Sequence, residues 1–87
     1  MAENDRVEIG KVSHYYGKLG VAVVELTHDL KAGDEIIIEG HGVSFKQKVA
    51  SMQIEHEKVQ HATKGQSIGL RVEGTAKDGC KVYKIVG

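Results

Sequence analysis

A chain of 87 residues has room for one hydrophobic core and one domain, residues 1–87, so any enzyme built on it would be minimal. Hydrophobic side chains make up 40% of the composition, and no apolar run approaches the roughly 18 residues that a membrane span requires. Twelve basic residues against twelve acidic ones leave zero net charge, which excludes strong long-range attraction to nucleic acid and restricts any RNA contact to a local basic face.

The opening MAENDR is acidic and polar and lacks the basic flank and apolar stretch of a secretory signal, so residues 1–5 are expected to be disordered and the protein cytoplasmic. Runs rich in β-branched residues follow, divided by glycine: Val7 to Val12, Val21 to Leu26, Glu35 to Glu39, Phe45 to Ile54, Ser67 to Val72 and Lys81 to Val86. They predict six strands joined by glycine turns, with no internal repeat and no linker. In the first run Val7 and Ile9 share a parity that Val12 breaks, and Gly10 at the change predicts a bulge. Val21 to Val24 and Ile36 to Ile38 are apolar on both faces, which predicts strands covered on both sides or pinched where a barrel closes. In the Phe45 to Ile54 run the parity changes between Val49 and Met52. Glu55 to Thr63 is the one stretch that suggests a turn of helix or an irregular crossing. In the fifth run Ile68, Leu70 and Val72 share a buried face and Arg71 points outward. Together these features predict a closed six-stranded antiparallel β-barrel.

Residues that could carry chemistry are sparse. His14, His28, His41, His56 and His61 match no zinc spacing, so no metal is expected. Cys80 has no disulfide partner and no sequence neighbour that marks a nucleophile; it reads as an inert, partly buried thiol. The glycines serve turns and form neither a dinucleotide fingerprint nor a G-x-x-x-x-G-K-[ST] loop, so no nucleotide or other cofactor is implied. Lys46 and Lys48 share one strand face, and with His56, Lys58, Lys64 and the outward Arg71 they form a candidate phosphate-binding patch. Tyr15 and Tyr16 offer a stacking surface near Lys18, or one of them fills the end of the barrel. The bland reading of the lysines is that they keep strand edges soluble.

Five blocks resemble domain 2 of the translational GTPases, the family of elongation factor Tu. These are Gly17-Lys18-Leu19-Gly20 with the strand Val21 to Leu26, Leu30 to Ile38 with its Lys-Ala-Gly-Asp turn, Val49 to Ile54 with its methionine, Thr63 to Leu70, and Asp78 to Tyr83. The resemblance implies a six-stranded closed Greek-key barrel without enzymatic chemistry that contacts the ribosome or tRNA. Gln53, Ile54 and Ser67 replace the residues that line the family's pocket for the aminoacyl end, and Cys80 replaces its usual acidic or amide residue, so the pocket is not carried over. Similar barrels also end collagenase-like peptidases and their RNA-modifying relatives. The leading expectation is therefore a monomeric, non-enzymatic accessory module of translation that binds tRNA, ribosomal RNA or the ribosome through Lys46, Lys48, His56, Lys58, Lys64 and Arg71. The alternative is a protein-interaction module docking onto a larger enzyme or translation partner, and a minimal enzyme using Cys80 or the histidines ranks third.

Overall fold

The β-branched, glycine-punctuated runs form strands because branched side chains pack well on a pleated surface and glycine supplies the turns between them. The computed structural model describes residues 6–55 and 57–86, which contain no helix. The expected disorder at residues 1–5 and the candidate ligand His56 lie outside the described residues. The strands are β1 (Arg6–Tyr16), β2 (Val21–Leu26), β3 (Leu30–Lys31), β4 (Glu35–Gly40), β5 (Val43–Lys48), β6 (Met52–Ile54), β7 (Glu57–Val59), β8 (His61–Ala62), β9 (Ser67–Arg71) and β10 (Lys81–Ile85).

All pairings are antiparallel: eight strands form one sheet in the order β5-β4-β10-β1-β2-β9-β6-β7, and β3 pairs with β8 in a short ribbon. The all-β antiparallel class is as expected, but the closed six-stranded barrel is not found. Among the described residues no ladder joins β5 to β7, and the main sheet has eight strands. The physical reason lies at residues 49–51. Val49 buries its side chain, and its backbone is held by Asp34 and Gly33 at 2.8 and 2.9 Å, so the run from Phe45 to Ile54 breaks into two strands. Its first half stays on β4, and its second half joins β9, where the Arg71 amide donates to the Ser51 carbonyl at 3.2 Å. The parity change between Val49 and Met52 marks this break. The stretch from Glu55 to Thr63, expected as a helical turn or crossing, contains β7 and β8 instead.

At Gly10 the expected bulge is present, with a register shift between Glu8 and Gly10 against β10 and a second between Val12 and His14 against β2. A Cβ at Gly10 would sit 2.7 Å from the Glu25 carbonyl oxygen and 2.8 Å from a Val24 methyl, so only glycine lets β1 approach β2 this closely. The inward faces of the strands supply a core whose largest fully buried members include Ile9, Leu30, Ile36, Ile38, Met52 and Leu70. Each such side chain contributes roughly 1.5–3 kcal/mol on removal from water.

Gln47 is the buried polar residue of this core. Its Nε2 donates to the Arg71 carbonyl at 2.9 Å, and its Oε1 accepts from the Glu73 amide at 2.7 Å. Strand β5, at one end of the pairing order, is thereby tied to the exit of β9, which forces the sheet to curl. Replacing Gln47 with Leu leaves both backbone groups without this partner, at about 1–3 kcal/mol each where water cannot replace it; the urea midpoint is expected to fall with an unchanged slope. Gly10→Ala overpacks the bulge and is expected to cost roughly 1–3 kcal/mol in the same measurement.

Candidate docking surface

The β1–β2 hairpin turns through Gly17-Lys18-Leu19-Gly20, closed by the Leu19 amide on the Tyr16 carbonyl at 3.1 Å and by Gly20 at a φ of 67°. That turn leaves Leu19 65% exposed and Tyr16 47% exposed. Along β2, Ala22, Val24 and Leu26 point inward while Val21 and Val23 face outward and stay half-buried. The expectation that these strands are covered on both faces is therefore corrected: the outer valines have only partial cover. Val23 stands opposite Gly69 of β9, and Gly69 stands opposite Gln53 of β6. Because Gly69 has no side chain, the outer surface dips there, forming a groove of about 440 Å³ lined by Tyr16, Leu19, Val21, Val23, Gln53 and Gly69, with Glu55, Ser67 and Ile68 completing it.

The aromatic wall of this groove is held in place. The Tyr16 ring packs edge-on against His14 at 4.4 Å, His14 Nδ1 lies 3.4 Å from Asp78 Oδ2, and Asp78 Oδ1 accepts from the Tyr15 amide at 2.8 Å. Tyr15 itself is half-buried against the core, with its hydroxyl 3.5 Å from the Gly74 carbonyl. Of the two tyrosines, one fills the interior and one is presented at the surface. Elsewhere on the outer face the aromatic surface is already occupied: the Arg6 guanidinium sits 4.6 Å above the Tyr83 ring and pairs with Glu39 at 3.0 Å. An apolar groove left partly exposed among the described residues is suited to receive side chains from another protein.

The residues of the predicted basic patch come from β5, β7, β9 and the turn before β9. Lys46 and Lys48 face outward on β5, Lys48 opposite Glu35, and both flank Gln47, whose side chain brings the backbone of Arg71 to the same seam. Lys58 lies on β7 opposite Gln53, and Lys64 lies in the turn before β9, where it lines a different cleft with Val7 and Lys84. Among the described residues none of these five forms an ion pair. Cys80 is fully buried with its Sγ 3.4 Å from the Gly40 carbonyl. No group of three or more His, Cys, Asp or Glu among the described residues is placed to hold a metal ion. No helix among them is long and apolar enough to cross a membrane. The residues that sequence reasoning passed over are Leu19, Val21, Val23 and Gly69; the two-faced apolar run from Val21 was the available signal.

No family model matches the chain. It is 42% identical over 79 residues to an uncharacterised protease of Methanocaldococcus jannaschii, covering 90% of this chain and 19% of that protein. It is 37% identical over 86 residues to a collagenase of Porphyromonas gingivalis, covering 95% of this chain and 20% of that protein. The chain thus spans about a fifth of the length of these relatives. Its fold is that of the C-terminal domain of a putative U32 peptidase of Geobacillus thermoleovorans, with a TM-score of 0.83 at 21% identity over 88% of this chain and 90% of that one.

These findings correct the resemblance to translational GTPases and the RNA-binding role drawn from it. An elongation factor 1-alpha of Ignicoccus hospitalis does match, but at 31% identity over 80 residues, below the protease and the collagenase. The blocks that carried the resemblance are turn chemistry: Gly20, Gly33, Gly65 and Gly79 all have positive φ, which specifies hairpins and says nothing about partners.

A Cβ at Gly69 would meet Val21 at 3.6 Å and Gln53 at 3.9 Å, which are ordinary contacts, and Gly69 has no positive φ. Gly69→Ala is therefore expected to raise stability by about 0.4–1 kcal/mol by restricting the unfolded chain, read as a higher melting temperature.

Proposed function

We propose that this chain is a protease-associated docking module that packs, without catalysis of its own, against the catalytic region of a larger protein of the kind its relatives are named for. The observation that carries this reading is the pattern of coverage. Nine-tenths or more of this chain matches proteins named protease and collagenase, while only about a fifth of each of those proteins is matched. A domain-sized fraction of a larger protein has a surface to present to the remainder, and the groove around Leu19 and Tyr16 is suited to that contact. A stable contact of this kind buries about 800 Å² on each side and concentrates its energy in a few central side chains, most often aromatic.

A domain exchange tests the reading. Replacing the matching fifth of the P. gingivalis collagenase with this chain is expected to preserve collagen hydrolysis, whereas deleting that fifth reduces it. A hybrid no more active or soluble than the deletion would count against the proposal. In the hybrid, Leu19→Glu is expected to weaken the contact at least about tenfold, because it places a charge in a desolvated interface. In the isolated chain the same change on an exposed turn stays within about 0.5 kcal/mol of the parent in stability, checked by thermal melting.

A further inference from the structure

Alternation along β10 places Val82 in the core and brings Lys84 to the same inward face, opposite Val7 of β1 and buried Ile36 of β4. An inward-facing lysine at the end of a sheet needs a partner, and Asp34 supplies one: their charged atoms lie 3.8 Å apart, with side chains only 27% and 15% exposed. The same Asp34 oxygen also accepts from the Lys31 amide at 3.0 Å, which fixes it. Lys84 lines a cleft of about 510 Å³ whose apolar surface comes from the exposed side chains of Val7 and Val86, with buried Ile9 beneath. Lys64 also lines the cleft, in a turn pinned by the Gly65 amide on the Leu26 carbonyl at 2.9 Å and by the Thr63 amide on Gln66 Oε1 at 2.8 Å. Thr27, His28 and Asp29 complete the rim. Among the described residues Asp29 pairs with the His61 ring alone, at 3.9 Å, which leaves acceptor capacity for an incoming N–H.

The volume falls in the ~300–1,000 Å³ range of small-ligand sites. An apolar floor suits one aliphatic side chain, two ammonium groups suit a carboxylate, and a carboxylate beside them suits a backbone amide. We propose that this cleft binds the free C-terminus of a peptide ending in an apolar residue. The aliphatic side chain lies on Val7 and Val86, the terminal carboxylate accepts from Lys64 and from a remaining N–H of the Asp34-paired Lys84, and the last peptide N–H donates to Asp29. The groove around Leu19 shares no lining residue with it, so this site stands or falls apart from the docking reading.

Titration of the 87-residue protein with acetyl-Ala-Ala-Leu, followed by amide chemical shifts, tests the site. The expected result is saturable shifts at Val7, Thr27 and Val86, with binding at least about tenfold weaker for the peptide amide, which loses the charge-assisted hydrogen bonds. Lys64→Gln, on an exposed turn, is expected to cause a similar loss, and Leu19→Glu none. Isovalerate and inorganic phosphate, which offer an anion without the peptide N–H, are expected to bind more weakly than the peptide acid. Absence of saturable shifts up to about 10 mM peptide overturns the proposal. So do equal binding of acid and amide, isovalerate or phosphate matching the peptide, and an unchanged affinity in Lys64→Gln.

Discussion

Two hydrogen bonds from one buried carboxamide hold together what the backbone ladder leaves apart. The strand order ends at β5 on one side and β7 on the other, and Gln47 crosses from β5 to the Arg71 carbonyl and the Glu73 amide just beyond β9. A side chain can satisfy both a donor and an acceptor where a backbone strand would need a matching run of residues, and the chain has none to offer there because residues 49–51 have already turned toward β9. Among the described residues no buried side-chain nitrogen or oxygen is left without a partner. The curl that results encloses the core and lifts its outer apolar residues onto a convex surface.

The outer surface is where a functional reading becomes possible. On one side Tyr83 is covered by Arg6, which is itself neutralised by Glu39. On the other, exposed Leu19 and Tyr16 and the half-buried outward valines of β2 surround the hollow above Gly69. Keeping a rigid apolar groove in contact with water has a cost, and a partner surface would offset it. Proteins named protease and collagenase carry a stretch like this one within a much longer chain.

Much of the architecture could be read from residue order alone. The alternation of Ile68, Leu70 and Val72 around outward Arg71, the bulge at Gly10 and the limits of β2 were all visible, because side-chain parity and glycine placement are local properties. The break inside Phe45 to Ile54 showed only as a parity change, since what splits the strand is the backbone of Asp34 and Gly33 reaching Val49 from elsewhere. Strands β7 and β8 were hidden for a related reason: two or three residues carry no period, and their pairing depends on β6 and β3. Spacing along a strand shows which face Lys46 and Lys48 take and not which other turns arrive beside them. Lys64 proved to face a different cleft from Lys46 and Lys48.

By itself the order of residues determined that this chain is an all-β antiparallel domain with glycine-built turns and a core of branched aliphatic side chains, because each of those outcomes follows from neighbours a few positions apart. Only the tertiary structure decided how many strands share the sheet, that a glutamine rather than a ladder ties β5 to the exit of β9, and which apolar residues are left exposed. Those depend on contacts between segments distant in sequence: Gln47 with Arg71, Val23 with Gly69, Lys84 with Asp34. Such contacts form only once the chain has curled, and no local pattern encodes them.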